Sequence, residues 1–493
     1  MSSQFCCDSR KLRPSDVFVA VRGATQDGHL FIQQAVSAGA SAVVTERAYP
    51  QIRVPQCIVP DSRASFARIC MALNGWPAKT LTVAGITGTN GKTTSAWLLR
   101  SILEAAGRTT GLLGTIEYSD GRSSEEAGLT TPEADHLAQL FDRMVVAKAS
   151  HCVMEVSSHA LDQQRCSGVS LSVAAITNIT QDHFDYHGGS ERYRTAKSLI
   201  AGLLKPHAPL LIGIDDAGCR AVLTLLPAGT RVVTFGFCRQ AQVRAEILKC
   251  MDGVQDIRLT LSSCVIEIRS PLVGRHNVLN ILTAAALADQ LGVDAEFISE
   301  GLQRVAGVPG RMERIDGGQP FQVFVDYAHT PDGLVQCLVT ARTLTAGRVI
   351  LVFGAGGDRD KSKRPLMARA AESADAVIVT SDNPRSENPR RIVDEICSGF
   401  ASTAHVQTCF DRVAAIRAAV TMALPGDLVM IAGRGHETTQ QIGDRHVGFD
   451  DRKVTRRLLG ELMTQTGNSA PRHRACPGGL TDSAPHADTS PTT

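Results

Sequence analysis

Apolar residues along this chain come in short blocks of strand length, spaced by stretches with the three-to-four-residue period of helices. Residues 18–21 and 42–44 read as buried strands, with a helix over 31–38 between them. A turn at Asn74-Gly75-Trp76-Pro77 closes this first small α/β unit, residues 1–78. The segment 79–308 alternates again. There 81–86, 152–156, 173–177 and 209–214 read as strands, and 95–106 and 190–204 as helices. Such alternation predicts a mostly parallel sheet covered on both faces. Gly307-Val308-Pro309-Gly310 marks the next boundary. Residues 309–465 repeat the pattern, with strands at 323–325, 349–353, 376–380 and 428–431, and predict a doubly wound, Rossmann-like unit. From 466 to 493 periodicity is lost among Ser, Thr, Pro, Gly and His, and a disordered tail is expected. The fold class is therefore α/β in three domains.

Composition narrows the partners. With 493 residues, 43% of them hydrophobic, the chain can build three cores. Its 51 basic and 49 acidic residues leave a net charge of +2, with no bulk pull toward nucleic acid or a membrane surface. Only 4% of residues are aromatic, too few for platforms that stack single strands. No apolar run spans a bilayer, and none follows the charged opening stretch, so no signal peptide is expected. The 14 cysteines form no Cys-x-x-Cys pair and read as free thiols. The expectation is a cytoplasmic monomer acting on small molecules.

The densest chemistry lies in Gly85-Ile86-Thr87-Gly88-Thr89-Asn90-Gly91-Lys92-Thr93-Thr94, between a predicted strand and a predicted helix. Strand, glycine loop and helix make a cradle for nucleotide phosphates, so the central unit should be P-loop ATPase-like. Lys92 would reach the terminal phosphates and the Thr93 hydroxyl would hold Mg²⁺. The spacing departs from G-x-x-x-x-G-K-[ST], because Ile86 stands where the first glycine belongs. Glu155, at a strand end in Met154-Glu155-Val156-Ser157-Ser158-His159, is placed for a second Mg²⁺ ligand. Asp182, His183, Asp185 and His187 could bind metal or cap the next helix, and spacing favours neither. By composition Lys197 reads as a solvated charge. Four polar strings each follow a predicted strand: Asp326-Tyr327-Ala328-His329, residues 354–360, Asp382-Asn383-Pro384-Arg385 and residues 433–437. They should share one sheet edge, which favours a binding site.

Together these strings resemble the Mur ligase family over residues 8–452. Gly-Thr-Asn-Gly-Lys-Thr-Thr is similar to the family's own phosphate loop and accounts for the spacing. Glu-Val-Ser-Ser-His, Thr-Asn-Ile with Asp-His-x-Asp, and Asp-Tyr-Ala-His-Thr-Pro follow in the family's order. More narrowly, the likeness is to members that add the third residue of the peptidoglycan stem peptide. It implies an amide ligase. ATP would phosphorylate a carboxylate of UDP-N-acetylmuramoyl-L-alanyl-D-glutamate, and the amine of meso-diaminopimelate would attack the acyl phosphate.

Carried over by residue, the resemblance implies that Gly88, Thr89, Asn90, Gly91, Lys92, Thr93 and Thr94 hold the ATP phosphates. It puts Thr93 and Glu155 on one Mg²⁺ and His183 on a second. It makes Lys197 an N6-carboxylated lysine, an anion supporting Mg²⁺. The catalytic set is then Lys92, Glu155, His183 and Lys197. Asn277 and Asn280 resemble adenine-side contacts, and Arg311 and Asp326 later ATP contacts. Ser9 resembles a uridine contact, and Thr130, Thr131, Ser157, Gln163 and Arg165 contacts to the rest of the UDP-linked substrate. Arg359, Asp382, Asn383, Pro384, Arg385, Gly433 and Glu437 resemble the amino-acid pocket. Arg385 offers a planar fork to the far carboxylate of diaminopimelate and repels the ammonium of lysine.

The chain departs from the family at Arg434, where Lys is usual, at His276, where Phe is usual, and in turns at Ser15 and Ile214. Two other readings compete. A folylpolyglutamate synthase should lack Asp8-Ser9-Arg10 and the Asp-Asn-Pro-Arg string, and a scaffold without activity should have lost Lys92, Glu155 or Lys197. All are present.

Overall fold

In the computed structural model, which describes residues 4–23, 26–251 and 253–468, three main sheets follow one another along the chain. The first is four parallel strands in chain order, Phe5–Cys6, Val17–Val19, Ala42–Thr45 and Gln56–Ile58. Successive side chains alternate faces. Phe18, Ala20 and Val43 pack with Ile32 on one side. Val19 and Val44 join a core that continues into the central unit. The helix expected over 31–38 is a 3-10 turn, Gly28–Phe31, followed by Ile32–Ser37.

The central sheet has 11 strands. Thr82–Thr87 sits in its middle, flanked in parallel by Val173–Ile176 and His151–Glu155. Parallel pairing makes the loops after these three strands emerge at one edge, where open α/β sheets bind ligands. The sheet is mostly parallel, as expected, with antiparallel strands at both margins. Val243–Met251, Val254–Thr260 and Val265–Ser270 form an antiparallel meander on one side, and Glu117–Ser119 and Ser124–Glu126 on the other. In Val254–Thr260 and Val265–Ser270 alternate residues are buried, so the strands cover the core with one face only. The alternation Ile257-Arg258-Leu259-Thr260-Leu261 carried that signal.

The helix after the phosphate loop runs Lys92–Ala105, three residues ahead of the expected start. Gly91, at φ 86°, turns the chain sharply enough for the helix to begin at once. The stretch read as a helix over 190–204 divides into Ser190–Ser198 and a 3-10 segment, Leu199–Leu203.

The third sheet has six strands. Gln322–Asp326, Leu428–Ala432, Val349–Phe353, Ala376–Thr380 and Val406–Cys409 run parallel, with Glu313–Arg314 antiparallel at one edge. Val406–Cys409 and the hairpin Thr439–Ile442 with Arg445–Gly448 were not foreseen, because half of the first strand and most of the hairpin are polar. The last helix, Asp451–Asn468, passes the expected boundary at 465, and its Leu458 and Leu459 pack with Ile315 and Phe321. The tail expected from 466 is thus helical to Asn468, and the rest of it lies outside the described residues. Among the described residues no helix is long and apolar enough to cross a membrane.

Candidate active site

The central strand delivers the chain to the loop at Gly88, whose φ is 152°. A Cβ there would collide with Thr177 Oγ1, and one on Gly91 with Asn280 Oδ1. Lys92 Nζ donates to Gly88 O at 2.8 Å and to Thr89 O at 3.0 Å. Lys197 Nζ donates to the same Gly88 O at 2.9 Å and lies 4.6 Å from the Tyr193 ring centroid. Two amines therefore meet at one carbonyl. Burial, reinforced by the charge of Lys92, holds Lys197 well below the ordinary lysine range. Its exposure is 1%, which overturns the reading of a solvated charge. Burial also lowers Lys92, with Glu155 and Asp182 opposing.

Glu155 is buried at the end of its strand. Its Oε2 accepts from Thr93 Oγ1 and Thr115 Oγ1, both at 2.9 Å, and its Oε1 accepts from Thr115 N at 2.8 Å. Arg311, from the third unit, donates through Nη2 to Thr93 Oγ1 at 3.0 Å. His183 sits in the left-handed region at φ 54°, with Nε2 3.2 Å from Asp182 Oδ2. Burial pushes His183 down to about 3. Burial alone would raise Asp182, but His183, His329 and Lys363 outweigh it and hold the carboxyl at about 2. Of the four residues that spacing left open, only Asp182 and His183 line the cavity described next. Asp185 is exposed, and His187 Nε2 is engaged with Ser158 Oγ at 3.0 Å.

A cavity of about 520 Å³ opens between the central and third units. Thr89 to Thr94, Asp182, His183, Asn277 and Asn280 form one wall, and Arg311, Asp326, Arg359, Asp382, Asn383, Arg385, Gly433 and Glu437 the other. The four polar strings do share one edge, because the strands before them are parallel. Asn277 donates to Val273 O at 2.9 Å and receives Asn280 Nδ2 at 3.2 Å. The Asp326 carboxylate ties down two turns, accepting from Met312 N and Ala328 N, each at 2.7 Å. Arg385 donates to Gly357 O at 2.7 Å, and burial together with the like charge of Arg359 lowers it. Burial, then the facing Asp382, pushes Glu437 up to about 7. Glu437 accepts from Asn383 Nδ2 at 2.8 Å. Pro384 lies off the cavity, its carbonyl against Gly357.

The departures acquire places. Arg434 is fully buried and donates to Asn383 Oδ1 at 3.0 Å and Thr439 O at 2.6 Å, so it anchors the pocket floor. His276 lines the cavity with Nδ1 3.3 Å from Thr340 Oγ1. Behind Glu155 lies a connected polar set. Thr131 Oγ1 donates to Glu155 O and accepts from Ser157 N, each at 2.9 Å. Thr130 Oγ1 is 3.1 Å from Thr115 Oγ1. Arg165 donates to Gln163 Oε1 at 2.6 Å and Thr131 O at 3.2 Å. Ser9, half-buried in the first unit, lies outside the cavity, so the structure does not bring it to the others. Thr115, Tyr327, Asp332 and Lys363 escaped sequence reasoning. Lys363 continues the polar run 354–360, and Tyr327 stands inside a quoted string, so position beside those strings was the usable signal.

Three family models match in chain order. "Mur ligase family, catalytic domain" matches residues 4–69, "Mur ligase middle domain" 86–288, and "Mur ligase, glutamate ligase domain" 310–435. The chain belongs to the Mur ligase family. One relative of this Mur ligase is the "UDP-N-acetylmuramoyl-L-alanyl-D-glutamate--2,6-diaminopimelate ligase" of Syntrophomonas wolfei subsp. wolfei. It is 42% identical over 459 residues, covering 92% of this chain and 93% of that protein. A solved structure of a ligase of the same name is 30% identical, with a TM-score of 0.65 over 93% of this chain and 95% of the other. The Mycobacterium tuberculosis folylpolyglutamate synthase complexed with ADP and AMPPCP shares the fold at 21% identity. Its TM-score is 0.64 over 75% of this Mur ligase and 92% of that chain.

Proposed function

We propose that this Mur ligase joins meso-diaminopimelate to UDP-N-acetylmuramoyl-L-alanyl-D-glutamate, with ATP as cosubstrate, as a cytoplasmic monomer. The observation that carries this reading is the single cavity in which the phosphate loop faces Arg385, Asp382 and Glu437. A carboxylate is a poor electrophile, so the amide needs a phosphoryl leaving group. A glutamyl carboxylate oxygen attacks the γ-phosphorus of ATP, the bond to the β,γ-bridging oxygen breaks, and ADP leaves with that electron pair. The diaminopimelate amine, having shed a proton, attacks the acyl carbon. The tetrahedral intermediate then expels inorganic phosphate, which carries off the surplus proton of the attacking nitrogen, and leaves the amide. Catalysis is positioning and charge neutralisation.

Gly88 to Gly91, Lys92 and Thr94 take the phosphates. Asn277 and Asn280 take the adenine side, and Arg311 and Asp326 close from the third unit. Ser9 takes the uridine end of the other substrate, and the Thr130, Thr131, Ser157, Gln163 and Arg165 set the remainder. A Mg²⁺ ion, when bound, supplies positive charge at the phosphate oxygens. Among the described residues no three His, Cys, Asp or Glu side chains gather as a metal cluster. Thr93 Oγ1 and Glu155 Oε2, 2.9 Å apart, nonetheless fit an ion that takes one or two protein oxygens and completes its shell with phosphate and water. His183 and Lys197 would serve a second ion.

For Lys197 the support is its lowered basicity. A neutral amine attacks CO₂ and loses a proton to become a carbamate anion. That change turns a like-charged neighbour of Lys92 into an oppositely charged one. At the other end, Arg359 and Arg385 repel one another on the same wall of the pocket. The far carboxylate of diaminopimelate relieves that repulsion, whereas lysine adds a third cation. Glu437 accepts the far ammonium.

The purified protein with ATP, Mg²⁺ and the UDP-linked dipeptide should release phosphate with diaminopimelate, and about 10²-fold more slowly or worse with lysine. Release with lysine alone would sink the specificity, and release with neither would sink the reaction. Lys197→Ala should be inactive, and ¹³C-bicarbonate should yield a carbamate carbon signal in the unsubstituted protein only. An active Lys197→Ala enzyme in ordinary buffer would contradict that role.

A further inference from the structure

Lys363 opens the helix Lys363–Ala371 and lines the cavity at only 6% exposure. Its neighbours in the run are committed. Lys361 and Arg364 both pair with Glu387, at 3.2 and 2.9 Å. Among the described residues the Lys363 ammonium has no hydrogen bond and no ion pair within contact distance. A nearly buried ammonium at a helix N-terminus is doubly unfavourable unless an anion meets it.

The side of the cavity it serves is set by a contact across the seam. Gln181 Nε2 donates to Ser362 Oγ at 3.4 Å, which brings residues 181–182 against 362–363. The charge of Lys363 is accordingly felt by Asp182 and His329. Asp182 in turn feels Lys92. At the amino-acid end burial acts first, and the charges felt beyond it come from other groups, Arg359 and Asp382 at Arg385, and Asp382 and Arg434 at Glu437. Lys363 therefore stands at the phosphate end.

We infer that Lys363 is a catalytic residue delivered by the third unit, its ammonium contacting the phosphoryl oxygens as phosphate passes from ATP to the substrate carboxylate. This rests on the ligase reaction proposed above. The chemistry calls for such a charge. Carboxylation of Lys197 removes a potential cation from the loop wall, while two anions, the nucleotide and the carboxylate, are brought together there. Arg311 and Lys363 are the groups that the opposite wall supplies at the phosphates.

Lys363→Met, assayed in the full chain with ATP, Mg²⁺, the UDP-linked dipeptide and diaminopimelate, should lower kcat about 10²-fold or more. KM for ATP and for diaminopimelate should each stay within about threefold, because contact in the transition state leaves ground-state binding nearly untouched. Lys363→Arg should lose less than Lys363→Met, since it keeps the charge. The thermal midpoint of each variant is read alongside, and if Lys363→Met does not fold, Lys363→Gln carries the same expectation. An undiminished kcat would overturn the inference, as would a rise in KM for diaminopimelate alone. Turnover by the unsubstituted enzyme separates the two readings. Its absence would overturn the ligase reaction and this role together, whereas its presence beside a fully active Lys363→Met would overturn this role alone.

Discussion

Burial and the facing Asp382 push the Glu437 carboxyl up to about 7, so the group changes charge within the working range. The sign follows directly. Below that value Glu437 is neutral and cannot pair with an ammonium, and above it the carboxylate can. KM for diaminopimelate should therefore fall as pH rises from about 6 to about 8, and Glu437→Gln should flatten that profile. A KM independent of pH in the unsubstituted enzyme would refute the assignment. For stability the sign is opposite. A carboxyl raised in the fold contributes fully below its unfolded value of about 4.3, and that contribution is lost as pH rises through about 7. Under the proposed function, the ammonium of the amino acid is also what would make the ionised form of Glu437 tolerable at neutral pH.

The helix Lys92–Ala105 begins at the lysine of the phosphate loop and is held by its neighbours along its length. Leu98, Leu99, Ile102 and Leu103 are fully buried in one core. The helix Ala295–Arg304 crosses it at Gly301, where an added Cβ would run into the backbone of Ile102. Ser101 Oγ donates to Gly301 O at 2.7 Å across the same crossing. Backbone cannot retreat as a flexible side chain can. Gly301→Ala should therefore destabilise the protein by about 1–3 kcal/mol in denaturant unfolding, with KM for ATP raised because Lys92 and Thr93 start the displaced helix. An unchanged midpoint would show that the two helices part without cost.

Across the whole molecule the third unit is held over the phosphate loop by a few polar contacts. Asn90 Nδ2 donates to Asp332 Oδ2 at 2.9 Å, Arg311 reaches Thr93 at 3.0 Å, and Thr438 Oγ1 reaches Glu126 Oε1 at 2.8 Å. Two of these end on the glycine loop itself, at Asn90 and Thr93, so under the proposed function closure and nucleotide binding share residues. Polar seams of this kind open at little cost, as ligand-driven closure requires. Asp332→Ala should enlarge the radius of gyration measured by X-ray scattering without nucleotide, and saturating nucleotide should restore compactness. Identical scattering in both proteins would remove Asp332 from closure.

The phosphate loop was legible because its parts are adjacent in the chain, a strand, two glycines in left-handed or extended-positive conformations, and a helix that starts at Lys92. The strands Val349–Phe353 and Ala376–Thr380 were legible residue for residue, because strands buried on both faces are continuously apolar. One-sided strands such as Val265–Ser270 were passed over, since half their residues are polar. The fold class, the three units and the strings that meet at one sheet edge were thus determined by the sequence alone. Only the tertiary structure decided the charges. Lys197 reads as a solvated cation until Gly88, Lys92 and Tyr193 surround it, and Lys363 reads as one of three basic residues until Glu387 claims the other two. The physical reason is that desolvation and Coulomb energy depend on groups far apart in the chain, which no local pattern records.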